Sequence, residues 1–275
     1  MRLVLVRHLW GTTGKWETLL PRIREAGYEV IESALPPAVD RQELRALLKS
    51  FGFGYIAQIF TAGKTVAAHL ESFKTQIEEA AELEPLIVNS HSGVDTWEEA
   101  KASEFFEGAV QIEAQSGGAV AHETHRGRIL FNSRDTVRML ERFPALKLCC
   151  DFSHWVCVSE RLLEDQMEAV QLAATRCIHL HARVGYEQGP QVPHPGAMEY
   201  ASHLEAHESW WRLVWEAQLG NGDAVSTLTP EFGPPPYLHT LPFTNQPVAD
   251  LWNVCDWQAN RQRAQFQAWQ TGLGE

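Results

Sequence analysis

The sequence predicts a closed (β/α)8 barrel, and three observations predict it. Short apolar runs alternate with amphipathic stretches eight times along the 275 residues, as repeated strand–helix units in one direction require. Four of the later runs each end on a residue type that binds metal, at spacings of roughly 30 to 50 residues, one or two barrel units apart. No glycine-rich phosphate fingerprint follows the first run, as it would in an open dinucleotide-binding sheet. The length suits one such barrel, so residues 1–275 read as a single domain with no separating linker.

Residues 3–7 read as the first strand, and 16–26 as a helix that Gly27 closes. Residues 28–34 and 55–60 supply the second and third strands, with a helix over 41–51 between them. The next helix has the clearest period: Val66, Leu70, Phe73, Ile77 and Ala80 recur at steps of four and three and share one face. Strands follow at 86–89, 119–123 and 146–151, with helices at 96–115, 135–143 and 160–174. Residues 177–181 form the seventh strand and 225–229 the eighth. A long Gly- and Pro-containing loop, 184–195, follows the seventh strand, at the barrel end where sites are built. The helix after that loop carries Trp210, Trp211 and Trp215, whose spacing suits packing on the barrel. The rigid Gly233-Pro234-Pro235-Pro236 leads into a last helix over about 248–269.

Composition narrows the function. Net charge is −12, from 23 Lys+Arg against 35 Asp+Glu. Counterion release, the main source of nucleic-acid affinity, then has little to act on. An anionic membrane surface is disfavoured for the same reason. No run approaches the ~18 apolar residues of a membrane span. The first residues read as a strand and not as a signal peptide. The five cysteines lack a CxxC pair; Cys149, Cys150 and Cys177 fall inside strand runs, as inert core thiols do. A cytoplasmic location is the expectation.

The four strand ends read Ala121-His122-Glu123-Thr124-His125, Cys150-Asp151-Phe152-Ser153-His154, Ile178-His179-Leu180-His181 and Thr229-Pro230-Glu231-Phe232-Gly233. In order they offer Glu, Asp, His and Glu, a hard-oxygen and imidazole set that a divalent cation wants. Each has a plainer reading. Glu123 alone suits a buried ion pair with Arg126 or Arg128, and Asp151 suits a turn cap beside a surface His154. His179 and His181 face the same side of a strand and also read as core histidines, His181 being nearer the strand's C-terminal end. Glu231 alone reads as a solvated loop residue. The shared position at one barrel end is what joins them.

With E-x-H at Glu123, D-x-x-H at Asp151 and His154, H-x-H ending at His181, and the Glu231 segment, the chain resembles the xylose-isomerase-like barrels over nearly its whole length. That family includes sugar isomerases, epimerases of the tagatose-3-epimerase type, and the related endonuclease IV enzymes. The resemblance implies one divalent ion, manganese by preference, with magnesium, cobalt or zinc as alternatives. Its ligands here would be Glu123, Asp151, His181 and Glu231. Glu123 and Glu231 would also be the acid/base pair on opposite faces of the substrate carbon. His154 would stand close to the metal. Glu32, His91, His125 and Arg183 would grip hydroxyls, and Trp10 would pack on the carbon skeleton. The expected activity is a metal-dependent isomerase or epimerase of a sugar, keto-sugar or related polyol, working through an enediolate. A lyase or dehydratase on the same site is the alternative, then an endonuclease IV-like zinc phosphodiesterase, then a binding protein that kept the barrel. The expected partner is a small carbohydrate-like molecule, with no nucleic acid and no membrane, and a homo-oligomer is allowed. Two departures stand out: Arg183 lies only two residues past His181, and the third strand ends near Gln58 where endonuclease IV carries a histidine.

Overall fold

The computed structural model describes residues 1–273. The strands are β1 (Arg2–His8), β2 (Val30–Ala34), β3 (Gly54–Phe60), β4 (Ile87–His91), β5 (Val120–Glu123), β6 (Leu148–Cys150), β7 (Cys177–His181) and β8 (Val225–Thr229). They close into a barrel in chain order. All pairs are parallel, and β8 returns to β1 with Val4 opposite Thr227 and Leu5 opposite Leu228. Being covered on both faces, the strands are almost continuously buried, as parallel sheets require.

Side chains of one parity point into the barrel. Val4 and Val6, Val30, Ile56, Ile87, Ala121 and Cys149 form a small apolar cluster there. Two residues further along each strand the same face turns polar: His8 on β1, Glu32 on β2, Gln58 on β3, Asn89 and His91 on β4, and Glu123 on β5. The barrel is therefore plugged by hydrocarbon at one end and lined by titratable groups at the C-terminal end, where barrel sites sit.

The helices are α1 (Trp16–Glu25), α2 (Ala38–Phe51), α3 (Val66–Ala81), α4 (Glu99–Ser116), α5 (Ser133–Arg142), α6 (Phe152–Ser159), α7 (Met167–Arg176), α8 (Ala201–Gly220) and α9 (Leu251–Gly272). Their apolar faces and the outer faces of the strands make the larger core. Trp210, Trp211 and Trp215 of α8 are buried in it, as their spacing predicts. On α3, Thr65 caps the N-terminus by accepting from the Ala68 N–H. Leu70 is only partly covered, and His69 is buried in its place, sharing a hydrogen bond with Thr61 and lying edge-on to Trp97. Helix α9 crosses behind β1, with Asp256 3.4 Å from Arg7, and Gln258 donates to the Ala182 carbonyl. No helix among the described residues is long and apolar enough to cross a membrane.

One expected element changes. The predicted helix 160–174 corresponds to α7, which starts later at Met167, and an unexpected helix, α6, precedes it because β6 ends at Cys150 and the chain turns into α6 at once. Asp151 accepts from the Ser153 N–H and caps α6, and Glu160, left-handed at φ 52, ends it. The chain restarts as α7 at Met167.

Candidate active site

Glu123 and His181 are the last residues of β5 and β7, Asp151 is the first past β6, and Glu231 is the second past β8. Each offers a ligand atom within 4.8 Å of the others, and all four are buried. Nδ1 of His181 lies 2.9 Å from Oε2 of Glu231 and 3.7 Å from Oε2 of Glu123. The other face of the ring is taken: Nε2 lies 3.0 Å from Oε1 of Glu32. Glu32 also receives the Thr229 hydroxyl at 2.6 Å and the Asn89 amide at 3.3 Å, and meets His179 at 3.3 Å. Glu32 thus lies beneath His181 and reaches that ring.

Oε1 of Glu123, Nδ1 of His181 and Oε2 of Glu231 are buried without a hydrogen-bond partner. Lone pairs that converge in a buried space call for a cation. Three carboxylates and one imidazole suit a divalent ion, and the Glu32–His181 contact is the outer-sphere carboxylate that aims such a ligand. The residues present fit a metal. Asp151, Arg183 and Glu231 already form a charged cluster: Nη2 of Arg183 reaches Oδ2 of Asp151 and lies 3.3 Å from Oε2 of Glu231. Neither Arg126 nor Arg128 pairs with Glu123 among the described residues; Nη1 of Arg128 donates to the carbonyls of Thr61 and Gly93 instead.

The field at this cluster is strong. Burial pushes the Glu123 carboxyl up, but His91 and His181 outweigh it and hold it well below the usual range. Burial likewise raises Glu231, and His181 and Arg183 bring it down to about 2. Both glutamates are therefore carboxylates at neutral pH, the form a general base needs. Burial raises Asp151 to about 6 even though Arg183 opposes it. Burial disfavours charge on His181, but Cys149 and the surrounding glutamates raise it well above the ordinary imidazole value. Cys149, His179 and His181 also approach one another closely. Burial holds the Cys149 thiol up, so it stays protonated.

A cavity of about 490 Å³ opens over Glu231. His91 lies on its wall with Nε2 2.9 Å from Glu123. His125 packs between His91 and His154, at ring-centroid distances of 4.6 and 3.9 Å. His154, in the first turn of α6, lies 2.6 Å from Nη2 of Arg183. Trp10 stands edge-on to Tyr237 at 4.8 Å across the mouth. Gly233 makes room for that indole: a Cβ there would come within 2.1 Å of Trp10. Of the ten residues expected at the site, Trp10, His91, His125, Arg183 and Glu231 line the cavity. Glu123, Asp151, His154 and His181 are buried against those lining residues, and Glu32 lies behind His181.

In the sequence, His8, Asn89 and Tyr237 do not stand out, Arg128 is offered only as an ion-pair partner for Glu123, and Gln58 is marked only by not being a histidine. Nδ1 of His8 accepts from the Trp10 N–H, so a neutral ring carries its proton on Nε2, 3.6 Å from Glu231. Gln58 donates to Oε1 of Glu231 at 3.3 Å, and Asn89 donates to Oε2 of Glu123 at 2.8 Å. His8, Gln58 and Asn89 share the strand parity of the expected donors, and that parity is a signal that finds them. Arg128 and Tyr237 come from loops, where no period applies.

The sequence profile of the xylose isomerase-like TIM barrel family matches residues 20–203. The chain belongs to this family. Comparison with curated proteins finds no match. Solved structures of the same build include 3-keto-D-glucoside 4-epimerase from E. coli, 13% identical, with 96% of this chain and 100% of that one covered at a TM-score of 0.62. Endonuclease IV from Thermus thermophilus is 14% identical, covering 96% and 99% at 0.60. An enzyme described as the probable 3-DHS dehydratase of Bacillus anthracis is 13% identical, covering 93% and 97% at 0.58. At such identities the likeness is one of fold. Within this xylose isomerase-like barrel, the reaction has to be argued from the site.

Proposed function

We propose that this chain is a divalent-metal-dependent isomerase or epimerase of a sugar, keto-sugar or related polyol. The observation that carries the reading is the convergence of Glu123, Asp151, His181 and Glu231, with donor atoms within 4.8 Å, next to a cavity of about 490 Å³ that Glu231 lines. Those four residues would hold one ion, with manganese preferred. When bound, the ion supplies electrostatic stabilisation for negative charge that develops on the substrate oxygens.

The protein's own groups do the rest. One glutamate oxygen takes the proton from the carbon beside the carbonyl, giving an enediolate, and the other glutamate returns a proton from the opposite face. Asn89 orients Glu123, and Gln58 with His8 orients Glu231. The imidazoles of His91 and His125 line the wall where substrate hydroxyls would sit, and Trp10 and Tyr237 exclude water at the mouth. Net charge of −12 keeps nucleic acid out of the proposal.

The test is a metal count followed by solvent exchange. Manganese-loaded protein should hold one ion per chain. In deuterated water it should exchange the α-proton of at least one substrate in a panel of keto-sugars and sugar acids, with formation of the isomer or epimer. Two or three ions per chain with cleavage of abasic-site DNA would overturn the reading. Exchange with loss of water and no isomer would convert it to the dehydratase.

A further inference from the structure

Three formally charged side chains line the cavity: Arg128, Arg183 and Glu231. Arg183 and Glu231 are committed, to each other at 3.3 Å and, for Arg183, to Asp151. Arg128 has no carboxylate partner among the described residues; its Nη1 donates to the Thr61 carbonyl at 3.2 Å and the Gly93 carbonyl at 3.1 Å. Two backbone acceptors fix Nη1; Nε and Nη2 make no hydrogen bond among the described residues, and Arg128 lines the cavity. Glu123 and Asp95 offset its burial only at longer range, so an anion that met it directly would add an ion pair.

The placement is specific. Thr61 follows β3 and Gly93 lies two residues past β4, so Arg128 stands over the β3–β4 side of the barrel mouth. The four converging donors come from the ends of β5, β6, β7 and β8, on the other side. Trp10, Phe60 and Tyr237 line the same cavity. Apolar walls lower the local dielectric and strengthen one ion pair within them. In a chain of net charge −12, long-range attraction for an anion is absent, so selection of one needs a local cation.

We infer that the substrate carries a carboxylate or phosphate group, and that Arg128 grips it at the β3–β4 side while the reacting carbon lies over the β5–β8 side. This deepens the proposed function and rests on it. The planar fork of arginine matches either anion through paired N–H donors. Arg128 thereby sets both specificity and the direction in which the substrate lies.

The experiment uses manganese-loaded protein and thermal-shift titration with matched sets: neutral pentoses and hexoses, their aldonic and uronic acids, and their phosphate esters. Wild-type protein should bind at least one acidic member about tenfold or more tighter than its neutral parent. Hits among the acids or among the esters decide between carboxylate and phosphate. Arg128→Gln should erase the preference while manganese stoichiometry stays unchanged. Arg128→Lys, which keeps a donor for the two carbonyls, should retain the fold and only part of the preference. Neutral members binding as tightly as their acids, acid binding that survives Arg128→Gln, or no acidic member binding would each overturn the inference. Failure to bind manganese in the wild-type protein would instead strike at the proposed function, so the two failures are distinguishable.

Discussion

Glu32 and Glu231 hold opposite nitrogens of one imidazole: Oε1 of Glu32 lies 3.0 Å from Nε2 of His181, and Oε2 of Glu231 lies 2.9 Å from Nδ1. Once a bound cation has displaced the second proton, Nε2–H stays donated to Glu32 and the lone pair of Nδ1 is directed at the carboxylate cluster. Glu32 is itself fixed by Thr229, Asn89 and His179. A glutamate outside the proposed ligand set thus decides which nitrogen faces the cluster.

Glu32→Gln should therefore weaken metal binding without removing a ligand. Loss of such an outer carboxylate costs about 10- to 100-fold in affinity. Competition with a chromophoric chelator measures it, and an unchanged dissociation constant would show that His181 is oriented by something else.

Asp151 has two roles that one substitution separates. Asp151→Asn keeps an oxygen for the Ser153 N–H and so keeps the cap of α6, which is worth about 1 kcal/mol. It removes the charge that faces Arg183. Stoichiometric manganese should be lost while far-UV circular dichroism stays native. Full occupancy in this variant would take Asp151 out of the ligand set.

Glu123→Gln and Glu231→Gln retain size and one oxygen donor but lose the base. Both should keep metal at least in part and lose α-proton exchange by at least 100-fold. Exchange surviving in both would move the base to another group, with His125, His154 and His91 the nearest.

His207 gives a stability prediction away from the carboxylate cluster. Its Nε2 accepts from the Gly185 N–H and its Nδ1–H donates to the His203 carbonyl, and burial brings its pKa down to about 3. A folded value below the unfolded one, about 6.5, means that the unfolded chain takes up the proton first. Stability is then full above about pH 6.5 and falls as pH drops toward 3. Between pH 7 and pH 5 the loss from this ring is about 2 kcal/mol. Urea unfolding of the wild-type protein and of His207→Gln at both pH values checks it. Equal losses in the two proteins would show that the ring does not set the slope.

How much of this was legible varies element by element. The seventh and eighth strands, 177–181 and 225–229, match the structure end to end, because short runs of apolar and β-branched residues mark them. The segment 152–159 went unread as a helix, because Asp151, a cap, looks in sequence like the end of a strand. Leu70 packs on the core as its period predicts but is only partly buried, and period alone does not reveal that His69 is buried beside it with a partner in Thr61, 8 residues back.

The sequence by itself determined the barrel and the types of the four strand-end donors. Both follow from local rules: the period of apolar residues and the point at which a run turns polar. Only the tertiary structure decided which nitrogen of His181 faces the cluster, because Glu32 is 149 residues away in the chain. Only it left Arg128 without a carboxylate, by giving its guanidinium the carbonyls of Thr61 and Gly93, 67 and 35 residues away. Charge, tautomer and pairing are set by what closure of the barrel brings within about 3 Å, and no pattern local to the chain encodes that distance.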